Sequence, residues 1–383
     1  MSTERPSVAA HDSQRIGALD GLRGVAILMV LAHHLFIFEA GTVLARRCAS
    51  LAEFCGHGVD LFFALSGYLI VRQLSAHSGE GGWALRFWRH RAAKILPTYV
   101  ACLAFTFVAL PALLSAGDFA SKLQLQQSVR TNWPWYASFA SNFLNARDGR
   151  FTNPALDVAW SLGVEVQFYA LAFALFACIG RGASRWLAAA IPISILARAA
   201  AVAAGANWIQ VLVLPWNHLD AFALGALVSA GHLRGLDRLR LVLVIGLPAA
   251  AVLLPWSRQA PFVEVFGYTL VALACGAAIS LAVDGGAPGF ERAMRHPALR
   301  LTGAISYSLY LTHLPLRAAL RDLLFRGGGT LAAAHSWAVL GLFYLVAGAA
   351  CWAAGWLVFE GFEDPLRKRL LGRRPGQAAA WSR

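Results

Sequence analysis

Charged side chains are scarce in this sequence. Asp, Glu, Lys and Arg make up 14% of its 383 residues and hydrophobic residues 58%, where soluble domains carry roughly 25% and 45–50%. That balance excludes a water-soluble enzyme, and the gaps between hydrophobic runs leave no room for a soluble domain. Cysteine is sparse as well. The six, at 48, 55, 102, 178, 275 and 351, show neither CxxC nor Cys/His spacing, so no metal is expected. Cys48 and Cys55 share one loop and are the pair able to bridge on an oxidising side. No cleavable leader is legible in the polar stretch from Met1 to Ala18, which leaves the first hydrophobic run as an anchor. No internal repeat is evident, which weakens a transporter built from inverted halves.

What is present is a series of long apolar runs. Ten spans are predicted, at 19–38, 57–76, 95–117, 157–180, 184–204, 209–231, 239–257, 265–284, 299–320 and 335–358. The fold class is therefore all-α: a polytopic membrane protein of about ten transmembrane helices around a polar cavity. The chain divides into a short segment 1–18, a membrane domain 19–358 and a basic tail 359–383. The net charge of +13 is membrane topology rather than a nucleic-acid surface. Arg and Lys gather in alternate gaps, as in Arg86, Arg89, Arg91 and Lys94, and again in Arg367, Lys368, Arg369, Arg373 and Arg374. The positive-inside rule then places both termini in the cytoplasm. The longest outer loop runs from Asp118 to Leu156, with the aromatics of TNWPWY suited to the interface.

The chain is organised around LDGLRGVAILMVLAHHLFIF, from Leu19 to Phe38. Asp20, Arg23, His33 and His34 stand in a run that should cross the bilayer, where ionisable groups are costly and face a protein interior or a wet cavity. Arg23 and His34 are eleven positions apart, about three helical turns, so they share one face with roughly 16 Å of rise between them. Other spans carry titratable groups at a matching depth: Asp60, Glu165, His218 with Asp220, and His313. Helices that place such groups in one slab point to a shared cavity. Asp60 can equally cap its helix, and a kink at Pro315 can open backbone groups beside His313. His218 and Asp220 cannot share a helix face unless Pro215 distorts the turn. On the other side, WALRFWRHRAAKILP sets Arg86, Arg89, Arg91 and Lys94 among aromatics. The group reads either as simple anchoring or as a phosphate site.

Five ordered motifs carry a family likeness: LDGLRGVAILMVLAHH, GVDLFFALSGYLI, RHRAAKILP, WSLGVEVQFY and SYSLYLTHLP. Together they resemble the acyltransferase type 3 family of integral-membrane O-acyltransferases. The resemblance implies acyl transfer from a cytoplasmic acyl-CoA, acetyl-CoA by default, to a hydroxyl of an exported glycan or small molecule. It implies a multi-pass protein of the bacterial inner membrane, partnered by the bilayer and its acceptor and not by nucleic acid. The basic-x10-His signature falls on Arg23 and His34, which makes His34 rather than His33 the catalytic histidine. The Arg-x-x-Arg-like element falls on Arg91 and Lys94, with lysine departing from the strict pattern. Some members carry a fused extracytoplasmic hydrolase-like domain; none is expected after the last span here.

The expected catalytic set is His34, Arg23, Asp60, Glu165 and His313. Arg86, Arg89, Arg91 and Lys94 are expected to hold the phosphates of CoA, and Asp220 and Tyr307 to contact the acceptor. His34 would take the acceptor proton, oriented by a carboxylate such as Asp60 or Glu165, or would itself accept the acyl group. The competing class is a proton-coupled transporter or flippase for a sugar or anion, since buried His and carboxylates also suit a proton relay.

Overall fold

The structure is a computed structural model that describes residues 8–35, 42–109, 125–232, 235, 237–254, 256–284, 287–324 and 337–372. Among these residues the secondary structure is helical throughout, with no strand. Among the described residues seven helices are long and apolar enough to cross a membrane: Gly17–Leu35, Val43–His77, Trp83–Ala109, Ala159–Ala183, Trp186–Ala203, Val263–Asp284 and Gly341–Leu370. The chain is thus a multi-pass membrane protein. The remaining expected spans are also helical but shorter or broken. Asp237–Leu253 has 17 residues, and 299–320 divides into Pro297–Ala304 and Ser306–Leu324. The expected start at 19 is not a helix start, because Val8–Leu35 runs through it unbroken. Residues 118–124 of the long loop, and Arg373 and Arg374 of the tail, lie outside the described residues.

The expected span 209–231 is interrupted. Trp208–Val213 begins with a capping box in which Asn207 and Gln210 serve each other's backbone N–H groups. Leu214 is extended, and Pro215 opens a 3-10 turn, Pro215–His218, before the helix Leu219–Ser229. Freed carbonyls at membrane depth must find donors within the protein. They do: Asn217 Nδ2 donates to Val211 O at 2.7 Å, His218 Nε2 to Leu212 O at 2.6 Å, and Ser194 Oγ to Trp216 O at 2.8 Å.

Two glycine crossings set the framework. Gly67 of Gly58–His77 and Gly225 of Leu219–Ser229 face each other so closely that a Cβ on Gly225 would stand 1.8 Å from the Ala64 carbonyl oxygen. Gly24 and Gly303 form the second crossing, joining the first helix to Pro297–Ala304; a Cβ on Gly303 would stand 1.8 Å from the Asp20 carbonyl oxygen. Small residues permit such close backbone packing where lipid offers no hydrophobic drive between helices. The second crossing anchors the Arg23 region of the first helix against the segment that leads into His313.

Candidate active site

His34, in the last turn of Val8–Leu35, meets His313 of Ser306–Leu324. His313 Nε2 lies 3.1 Å from His34 Nδ1, and the ring centroids are 4.9 Å apart. His313 Nδ1 lies 2.7 Å from the Tyr310 carbonyl oxygen, and that nitrogen therefore carries the proton. His313 Nε2 is then a lone pair, and it accepts from His34 Nδ1–H. The proton on His34 Nδ1 is further matched by the Val30 carbonyl at 3.1 Å. This chain of donors leaves Nε2 of His34 as the basic nitrogen, and it makes no hydrogen bond among the described residues. Pro315 contributes to the local geometry. It has no N–H to give the Leu311 carbonyl, and Cys102 Sγ approaches that oxygen at 3.7 Å instead.

His33, the neighbour of His34, is engaged elsewhere. Its Nδ1 donates to Ala52 O at 2.9 Å and its Nε2 accepts from Arg258 at 2.7 Å. Arg258 also holds Glu53 at 3.2 Å.

The expected carboxylate partner of His34 is not at its side. Asp60 instead joins two other histidines: His57 Nδ1 at 2.7 Å and His218 Nδ1 at 3.1 Å. Trp256 Nε1 donates to His57 Nε2 at 3.2 Å, which leaves His57 Nδ1–H for Asp60. Glu165 accepts from the hydroxyls of Ser66 and Tyr169. Asp220, expected at the acceptor, is buried against Arg198 at 2.9 Å and Thr269 at 2.6 Å. Arg198 also binds the Val265 carbonyl at 3.0 Å and the Asn217 carbonyl. His218 and Asp220 thus face different partners, as the Pro215 distortion allows. The Tyr307 hydroxyl donates to Ile95 O at 2.8 Å. Cys48 and Cys55 are free thiols on one helix, two turns apart.

The four cations expected at the donor divide into two pairs. Arg86 faces outward onto Glu80 at 2.9 Å, and Arg89 donates to the Leu370 carbonyl at 2.8 Å. Arg91 and Lys94 turn inward. The Arg91 guanidinium lies 5.5 Å from the Tyr169 ring centroid and donates to Gln73, while its Nε is buried and meets no acceptor. Lys94 lies within electrostatic reach of Arg23, Arg91, Glu165 and Glu363 and has no carboxylate at ion-pair distance among the described residues. The structure therefore brings together Arg23, Arg91, Lys94 and Glu165, with His34 about three turns along the first helix from Arg23.

Sequence reasoning missed four participants. His57 precedes Asp60 by three positions, a spacing that puts them on one helix face and was legible. Glu363, which accepts from Ser308, carried no such signal. Nor did Asp157 and Arg317, which lie within electrostatic reach of each other from segments far apart in the chain. Arg317 lies four residues beyond His313 and within electrostatic reach of both histidines. Asp157 stands in the turn 154–158 just before the helix Ala159–Ile179. Burial pushes its carboxyl up to about 7, against the pull of the Asn153 backbone N–H and of Arg317.

Among the described residues no group of three His, Cys, Asp or Glu is placed to hold a metal. The family model described as an acyltransferase domain matches residues 16–356, nearly the whole arrangement just described. The chain belongs to the acyltransferase type 3 family. This acyltransferase chain is also similar to O-acetyltransferase OatA of Staphylococcus aureus (strain NCTC 8325 / PS 47), 28% identical over 174 residues, which is 42% of this chain and 24% of the relative. A Staphylococcus aureus (strain COL) protein whose name proposes an O-acetyltransferase is 30% identical over 158 residues, 40% of this chain and 23% of its own. The matched part is about a quarter of the length of these curated relatives. No solved structure matches the chain.

Proposed function

We propose that the chain is an O-acyltransferase of the inner membrane that moves an acyl group, acetyl by default, from acyl-CoA to a hydroxyl of a glycan or small molecule. The observation that carries this reading is the His34–His313 pair, which leaves one imidazole nitrogen basic near the end of a helix that carries Arg23 about three turns earlier.

The donor is a polyanion, and the inward-turned Arg91 and Lys94, with Arg23 near them, supply cationic partners for its phosphates. The buried Nε of Arg91 is a donor still without an acceptor, which suits a phosphate oxygen. Arg86 and Arg89 stand at the rim, where they can guide the donor electrostatically while bound to Glu80 and the Leu370 carbonyl.

At the other end, His34 Nε2 takes the proton of the acceptor hydroxyl as that oxygen attacks the thioester carbonyl. The C–S bond breaks as the carbonyl re-forms, and the sulfur leaves with the proton held by His34, giving free CoA and the ester. His313 keeps the His34 ring in the tautomer that makes Nε2 the base, the orienting role that a carboxylate fills in the Ser-His-Asp arrangement.

The test is release of free CoA by purified protein supplied with acetyl-CoA and a panel of sugar acceptors, beside His34→Ala. Acceptor-dependent release that vanishes in the variant supports the proposal. Turnover unchanged in His34→Ala moves the base to another group, and transport driven by a proton gradient without CoA release replaces the enzyme with the transporter.

A further inference from the structure

We propose that Asp157 and Arg317 form the acceptor-orienting half of the site and take a neutral polyhydroxylated molecule, a sugar ring or comparable polyol, through hydroxyls next to the one acylated. The proposal deepens the acyl-transfer reading above and rests on it for the reaction.

Arg317 faces His34 and His313 from Ser306–Leu324, and Asp157 faces Arg317 from the turn 154–158. Arg317 is one turn beyond His313 in Ser306–Leu324, so the two side chains project from the same face. It acts electrostatically on His33, His34, His313 and Asp157 together. Asp157 approaches from the turn before the Ala159–Ile179 helix. The Asn153 backbone N–H serves its carboxylate, yet Oδ1 is buried and meets no donor. A buried acceptor left unmatched is costly, so the position is kept for a donor that arrives with the ligand.

The chemistry of the pair selects that ligand. An anion would meet the Asp157 carboxylate, and a cation would meet Arg317. A neutral molecule carrying donors and acceptors on neighbouring atoms satisfies both. Adjacent hydroxyls on one ring do this: one donates to Asp157 Oδ1 and the next accepts from the guanidinium. A third hydroxyl is then turned toward His34 Nε2. Asp157 and Arg317 are positioning residues and touch no reacting atom.

The experiment uses the full-length protein in detergent, with methyl β-D-glucopyranoside and N-acetylglucosamine as neutral probes and glucuronate as the anionic one. Saturation-transfer NMR reads binding without any donor present, and steady-state kinetics with acetyl-CoA reads the two KM values. We expect wild-type protein to bind the neutral probes in preference to glucuronate. Asp157→Asn should raise the acceptor KM by about tenfold, as loss of the charge behind one hydrogen bond implies, with the acetyl-CoA KM little changed. Arg317→Gln should weaken probe binding as well, and Asp157→Glu should restore part of it. Equal changes in both KM values, or a preference for glucuronate, would overturn the subsite. Probe binding that depends on Asp157 in a protein showing no acyl transfer would leave the subsite standing and remove the enzyme reading. Absence of binding to every neutral probe would remove the subsite whatever the turnover.

Discussion

His313 Nε2 stands 3.1 Å from His34 Nδ1, and the backbone carbonyl of Tyr310 fixes which of the two rings holds the shared proton. A base built this way depends on a neutral second imidazole instead of a carboxylate. His34→Ala is expected to lower turnover by about 10²–10⁴-fold, the range for a lost general base. His313→Ala should lower kcat by a smaller factor with the acetyl-CoA KM held, because it frees the tautomer of His34 without removing the base. Steady-state kinetics on both variants checks the order. Equal losses of donor affinity in the two would place the pair at the donor instead.

Asp60 is expected to act on stability ahead of chemistry. Its carboxylate is matched by His57 and His218, and His218 in turn satisfies the Leu212 carbonyl at the broken span. Asp60→Asn leaves at least one of those ring nitrogens badly matched, which costs about 1–3 kcal/mol. The melting temperature in detergent should fall, while the protein that remains folded keeps measurable acyl transfer. Full stability with no turnover would return Asp60 to the reaction.

The Arg198–Asp220 pair holds the same break from its other side, with both side chains essentially buried. Removing one member strands the other charge, and Arg198→Met should cost about 3–5 kcal/mol. Adding Asp220→Leu to it should recover part of the loss, since a buried pair replaced whole by apolar groups is often neutral. Thermal unfolding of the single and double variants decides this.

Gly225→Ala tests the central crossing. The new Cβ would meet the Ala64 backbone oxygen at 1.8 Å, and backbone cannot rotate aside as a side chain would. The helices must separate, at about 1–3 kcal/mol. Gly341, where a Cβ meets nothing within 4 Å, is the matched control, and Gly341→Ala should be nearly silent in the same melting assay.

Asp157 gives the protein a pH dependence of definite sign. Its carboxyl is raised to about 7 by burial, above the ordinary value near ~3.9 of an unfolded chain. Between roughly pH 4 and 7 the folded protein therefore retains a proton that the unfolded chain has released, and stability declines as pH rises through that window. Arg317 is the charged group facing it and opposes the shift. The slope of melting temperature against pH should flatten in Asp157→Asn. The acceptor KM should fall as pH rises through about 7, where the carboxylate becomes the better acceptor.

Much of this protein is determined by the sequence alone. Scarce charge and repeated apolar runs are enough to specify a helical membrane protein, because a bilayer admits few other structures for such segments. The eleven-position spacing of Arg23 and His34 specifies one helix face, since helical periodicity is local. Convergence between distant segments is another matter. Asp60, Glu165 and His34 are expected at one depth, yet an expected depth does not say which neighbours meet, and Glu165 stands with Arg91 and Lys94. Only the packing at Gly67 and Gly225, and the break at Leu214, decided that Asp60 also meets His218. The tertiary fold likewise split the four cations, sending Arg91 and Lys94 inward and Arg86 and Arg89 to the rim. It alone brought Asp157 to Arg317, because that meeting depends on where the turn 154–158 packs against the helix Ser306–Leu324 and not on any local period.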